Sequence, residues 1–142
     1  MEDAKGRIKY DNTLLKVMQF FETMTRAKLR DCFIDQNDAV VFIVEAAQSG
    51  LAIGKGGANA RKLEESLKKK VKVVEYSDNV EEFTKSLIQP AKAQKIEFSE
   101  GVVTITPEPG SRSYLIGRAG KNVRNFEAAI KRHFPIRELK VL

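Results

Sequence analysis

Leu14, Val17, Met18 and Phe21 recur at i, i+3, i+4 and i+7, the spacing of one face of an α-helix. They predict a helix over residues 12–26, with Asp11 or Asn12 capping its start. The period then changes. Residues 31–35 read as a short strand, and Gln36-Asn37-Asp38 is a polar turn. Residues 40–45 form a β-branched run that predicts a buried strand. A short helical piece over 48–53 leads into a glycine-rich loop. A longer helix follows over 58–70, with Ala60, Leu63 and Leu67 inward, and a strand over 71–76 closes the series.

The same order of elements returns in the second half. A helix over 80–89 ends at Pro90. Strands over 95–99 and 102–106 flank a Glu100-Gly101 turn, and 107–110 makes a break. A short helix over 111–116, a second glycine loop, a helix over 121–132 and a strand over 136–141 complete the copy. A shift of 63 residues superposes Gly54 on Gly117, Gly57 on Gly120, Leu63 on Phe126 and Leu67 on Ile130. It also sets Val73 against Ile136 and Glu75 against Glu138. Upstream, a shift of 62 matches Val40, Val41 and Ile43 to Val102, Val103 and Ile105, with a one-residue difference assigned to the intervening turn. The expected class is α+β: one α-β-β-α-α-β fold used twice, each copy a three-stranded sheet packed by helices. The expected domains are 1–77 and 78–142. Each has only a modest core, and the short polar linker predicts that they sit close together.

The two loops carry the candidate chemistry. They read Ile53-Gly54-Lys55-Gly56-Gly57 and Ile116-Gly117-Arg118-Ala119-Gly120. Glycine lets a ligand approach the main chain closely and permits positive φ. The helix that starts just after each loop brings unpaired N–H groups and a positive dipole end, both favourable to a phosphate. Lys55 and Arg118 place a cation at that point. Arg61 and Lys62, and Lys121 and Arg124, extend the positive surface. Asn59 and Asn122 stand one turn into the helix as hydrogen-bonding groups. Phosphate contacts position a strand without reading it. Base contact therefore falls to an aliphatic floor, assigned to Ala52, Ile53, Leu115 and Ile116, which suits unstacked bases. One G-x-x-G between helices is usually a plain corner. Two, each with a basic inner residue and the same flanks, point to single-stranded RNA.

Charge agrees with that direction: the 142 residues carry a formal net charge of +6, which suits a polyanionic partner. Cys32 and His133 are the only residues of their kinds, so neither an intrachain disulfide nor a zinc cluster can form, and no cofactor is expected. The polar segment 1–5 does not read as a secretory signal, and no stretch has the roughly 20 apolar residues of a membrane span. The expectation is a cytoplasmic monomer with no membrane partner. The phosphate-loop pattern fails because Asn122 follows Gly120-Lys121, and the dinucleotide pattern fails at Asn59. The acidic residues form no catalytic set, so no enzyme is expected.

Several residues have quieter readings. Cys32 is expected as a small buried hydrophobe. His133 is expected to pack or to meet a helix C-terminus. Lys68-Lys69-Lys70 reads as a solvated helix end, and Asp31, Asp35 and Asp38 as turn and edge residues. Phe20, Phe21 and Phe83 are expected in the core. Tyr76 and Tyr114 are the aromatics left open for stacking on a base.

The order helix–strand–strand–helix–GxxG–helix–strand resembles the type II KH domain. The tandem pair, with residues 50–57 and 116–124, resembles the archaeal NusA-like factors. That resemblance covers nearly the whole chain. It implies RNA binding and a part in transcription termination or antitermination on nascent transcripts, with RNA polymerase or other transcription factors as protein partners. The second loop departs from the pattern at Ala119, where glycine or a basic residue is common, so its grip leans on Arg118. Two alternatives stay open: a ribosome-associated or ribosome-assembly KH protein, and a protein-interaction scaffold that binds no RNA.

Overall fold

The computed structural model describes residues 10–142; the polar opening segment read above, residues 1–5, lies outside the described residues. The chain separates into two compact units, the first ending at Tyr76 and the second running Ser77–Leu142. Among the described residues no helix is long and apolar enough to cross a membrane.

In the first unit, helix α1 (Asn12–Thr25) is capped by Asp11, whose side chain accepts from the Leu14 amide at 2.7 Å. It ends where Arg26 turns left-handed at φ 63°. Strand β1 (Leu29–Ile34) pairs antiparallel with β2 (Val40–Val44), and β2 pairs parallel with β3 (Val71–Glu75), giving the sheet order β1-β2-β3. A parallel neighbour needs a crossover. It is supplied by α2 (Ser49–Ile53), a 3-10 turn at Lys55–Gly57 and α3 (Ala58–Leu67). Phe21 stacks on Phe42 with ring centroids 4.2 Å apart, and Cys32, Val40, Val44, Ala52 and Leu63 complete this core.

The second unit repeats the plan with α4 (Val80–Leu87), β4 (Ala93–Ser99), β5 (Val102–Pro107), α5 (Arg112–Ile116), a 3-10 turn at Arg118–Gly120, α6 (Lys121–Lys131) and β6 (Glu138–Val141). Asn79 caps α4 by accepting from the Glu82 amide. The sheet order β4-β5-β6 again has one antiparallel and one parallel pair. Phe83, Val103, Ile105, Leu115, Ile130 and Leu139 are buried. His133 packs its ring edge on Phe83, with centroids 5.8 Å apart.

The register of the repeat differs from the expected one. Gln48 N donates to Glu45 O and Ser111 N to Glu108 O, while Glu45 N and Glu108 N donate to Lys28 O and Lys92 O. The shift of 63 thus holds through β2 and β5, so Val40 corresponds to Val103 rather than to Val102. The one-residue difference lies in the β1–β2 hairpin: Ile34 pairs with Val40, whereas Phe98 pairs with Val103. On the other side, Val71 pairs with Val40 and Leu139 with Val103. Val71 therefore corresponds to Leu139, and the expected match of Val73 to Ile136 fails. Pattern alone misses this because runs of alternating apolar residues tolerate a slip until hydrogen bonds fix it.

Other boundaries also move. Helix α3 stops at Leu67, because Lys68 is left-handed at φ 55°; the lysine run therefore lies beyond the helix, and Lys69 pairs with Asp38 at 2.7 Å. Helix α4 stops at Leu87, short of Pro90. Pro107 belongs to the end of β5, where it pairs with Ala93 at the strand edge. Phe20 is 40% exposed, contrary to its expected core position. It immediately precedes buried Phe21 and so points about 100° away from it on the helix. Asp31 is fully buried in β1, not a surface turn residue. Its Oδ1 accepts from the Tyr10 hydroxyl at 2.7 Å and from the Cys32 amide at 2.8 Å.

The two sheets differ on the face turned away from their helices. In the first, Val41, Ile43 and Val74 are buried there. Lys72, paired with Val41 on that face, has its pKa pushed down from 10.5 to about 8 by burial, which the charge of Asp35 partly offsets. In the second, the corresponding face carries Lys95, Glu97, Thr104 and Lys140, and Lys95 pairs with Glu97 in the open at 3.3 Å.

Candidate nucleic-acid interface

Both loops adopt one backbone shape. Gly54 lies at φ 80°, ψ 166° and Gly117 at φ 74°, ψ 172°, a region open essentially to glycine alone. Gly56 and Ala119 are left-handed at φ 62° and 55°, and Gly57 and Gly120 at φ 76° and 75°. A Cβ on Gly54 would come within 3.0 Å of the Asn59 amide nitrogen, and one on Gly117 within 2.7 Å of that of Asn122. A Cβ on Gly56 would meet nothing within 4 Å. The tip of the first loop therefore stands open, and the first glycine is the one held by packing.

The residues after each loop hold it in shape. Asn59 Nδ2 donates to Leu51 O at 3.2 Å, and Asn122 Nδ2 to Tyr114 O at 2.7 Å. Arg61 Nη1 donates to Gly56 O at 2.6 Å, and Arg124 Nη1 to Ala119 O at 2.7 Å. These four side chains, expected to meet a ligand, bond within the turn between the two helices that flank each loop, and Arg61 and Arg124 remain exposed. The helix N-termini also differ from the expectation. Gly57 N bonds Gly54 O and Gly120 N bonds Gly117 O, while the amides of Ala58 and Lys121 bond Lys55 O and Arg118 O. The 3-10 turn uses donors that an abrupt helix start would leave free. The side chains of Lys55 and Arg118 are exposed and neither joins an ion pair among the described residues. Lys62 and Lys121 are likewise exposed.

The proposed base floor is corrected by burial. Ala52 and Leu115 are fully buried and unavailable to a ligand. Ile53 is 38% exposed and Ile116 partly so. The apolar groups that accompany them outside are Leu51, 49% exposed, and Tyr114, 42% exposed. The helical turn held the signal: positions 51 and 114 precede the core residues and rotate away from the interior. Two further contacts escaped sequence reasoning. Ser49 Oγ donates to Glu75 Oε1 at 2.9 Å, and Arg112 Nε donates to Leu142 O at 3.0 Å, each fastening the start of the pre-loop helix to the end of the third strand. Tyr76 lies under the guanidinium of Arg30, 4.1 Å from ring centre to Cζ.

Comparison with known proteins gives a consistent result. A KH domain family model matches residues 17–81. A probable transcription termination protein NusA of Methanocaldococcus jannaschii is 33% identical over 127 residues, covering 87% of this chain and 69% of that protein. Another, from Halococcus morrhuae, is 30% identical over 138 residues, covering 95% of this chain and 99% of that protein. The crystal structure of APE1850 matches with a TM-score of 0.75 at 27% identity, covering 94% of this chain and all of that one.

Proposed function

Since the chain belongs to the archaeal NusA-like family of KH proteins, we propose that it binds single-stranded RNA through both glycine loops and acts in transcription termination or antitermination on nascent transcripts. In this reading residues 1–77 and 78–142 are two type II KH domains. The observation that carries it is the duplicated loop: two backbones of the same shape, each tipped by an exposed cation, Lys55 or Arg118. A loop of this kind clamps the backbone of about four nucleotides. Helices α2 and α3, or α5 and α6, hold it, and Ile53 and Ile116 lie at its side. Asn59, Arg61, Asn122 and Arg124 serve binding by keeping the loop in shape, and Lys121 adds charge. Only four residues separate β3 from α4, so binding of one loop raises the effective concentration of RNA at the other. The site is a binding surface and not a catalytic one. The factor works as a monomer in the cytoplasm, alongside RNA polymerase.

The test is titration of a labelled single-stranded RNA with the parent and with the paired variants Lys55→Asp/Gly56→Asp and Arg118→Asp/Ala119→Asp, checked for folding by circular dichroism. Each pair is expected to weaken binding by about tenfold or more, and the parent to lose affinity with salt by about 0.7 log units per log unit for each phosphate neutralised. Parent-like affinity in both folded variants overturns the loop assignment.

A further inference from the structure

The two loops share a backbone, yet the ring beside them is not shared. With the shift of 63 set by the hydrogen bonds, Leu51 corresponds to Tyr114. Their carbonyls accept from the equivalent side chains, Asn59 and Asn122. Both are exposed to a similar degree, so the two positions offer a ligand the same access and different chemistry: an aliphatic side chain in the first unit, an aromatic ring in the second. Resting on the RNA-binding reading above, we propose that Tyr114 is a stacking platform for one nucleobase of the strand held by the second loop, which makes the two units unequal partners of RNA.

Three observations support a built platform and not a stray surface tyrosine. First, the ring is buttressed from within. Tyr114 and Phe126 have centroids 6.4 Å apart at an interplanar angle of 47°, and Phe126 is buried. Second, the main chain under the ring is fixed by the 2.7 Å bond from Asn122 to its carbonyl, and the side chain of Arg112, two residues earlier, is tied to the Leu142 carbonyl. A ring fixed on a rigid base loses little entropy when a base stacks on it. Third, the platform is three residues before Gly117, with Arg118 and Lys121 exposed beyond it. A strand gripped by its phosphates at the loop would present a base at the ring. Lys121 stands where the first unit has Ala58, so the second unit adds a cation together with its ring. Aromatic stacking tolerates any base because every base has a π-face; the platform adds affinity without demanding a sequence.

The chain contains no tryptophan, which gives a direct readout. Tyr114→Trp introduces a single indole, and its fluorescence is followed during titration with a single-stranded RNA oligonucleotide and with one of equal length carrying abasic sites. Tyr114→Leu copies the first unit and is expected to fold, as Leu51 does at the same place. The expected results are quenching of the indole by the base-bearing strand only, and binding weakened by about fivefold or more in Tyr114→Leu with the salt slope of the parent retained. Parent-like affinity of Tyr114→Leu, or an indole that responds equally to abasic RNA, overturns the stacking role while the parent still binds. Absence of any salt-sensitive binding by the parent overturns the RNA-binding reading itself, and the platform with it.

Discussion

Arg124 donates from Nη1 to the carbonyl oxygen of Ala119 at 2.7 Å, turning one of its N–H groups back onto the loop it follows while the residue stays exposed. Arg61 does the same to Gly56 in the first unit. Charge and function separate here: one arginine shapes the loop, while its neighbour Arg118 faces outward. Arg124→Gln is therefore expected to speed amide hydrogen exchange in residues 117–120 while leaving the salt slope of RNA binding unchanged. Arg118→Gln is expected to leave exchange alone and reduce the slope by about 0.7. Exchange mass spectrometry paired with salt titrations checks both.

Gly54→Ala and Gly117→Ala are expected to destabilise their units by about 2–4 kcal/mol. Each combines a backbone conformation reserved for glycine with overlap against a main-chain nitrogen. Urea unfolding followed by circular dichroism measures the loss.

Gly56→Ala is expected to cost only about 1 kcal/mol, since its Cβ enters open space and the penalty is the left-handed backbone alone. Ala119→Gly is the reverse case and is expected to stabilise the second unit by about 1 kcal/mol. Opposite shifts of the unfolding midpoint in the two variants are the sign to look for.

Lys72 gives a pH signature. Its folded pKa, about 8, lies below the unfolded value of 10.5, so between those values the unfolded chain binds more protons and stability rises with pH. Below pH 8 the charged ammonium is held against burial in full. Lys72→Met is expected to stabilise the protein at pH 7 by about 1–3 kcal/mol. That gain should shrink as pH climbs from 8 toward 10.5 in denaturant titrations.

Much of the fold was legible in the apolar spacing. Leu14, Val17, Met18 and Phe21 gave α1, and the β-branched run from Val40 gave β2, because burial on one face imposes a period that survives in sequence. The ends of α3 and α4 were less legible. Lys68 turns left-handed without being glycine, and no periodic signal marks that choice. The site divided along the same line. Glycines that allow unusual dihedrals announced both loops. The duties of Asn59, Arg61, Asn122 and Arg124 did not show, because a polar side chain that folds back on a carbonyl looks in sequence like one reaching out to a ligand. Likewise, an apolar run before each loop does not show which residues turn inward: Ala52 and Leu115 are buried, and the outward rotation belongs to Leu51 and Tyr114.

Glu64 Oε2 accepts from the Val71 amide and Glu127 Oε2 from the Leu139 amide, each at 3.0 Å, although the first pair is 7 residues apart and the second 12. A carboxylate on the helix thus anchors the entering strand whatever length of chain lies between. That stretch is a natural splice point: a peptide tag or reporter inserted there would loop outward, and the sheet beyond it would close as before.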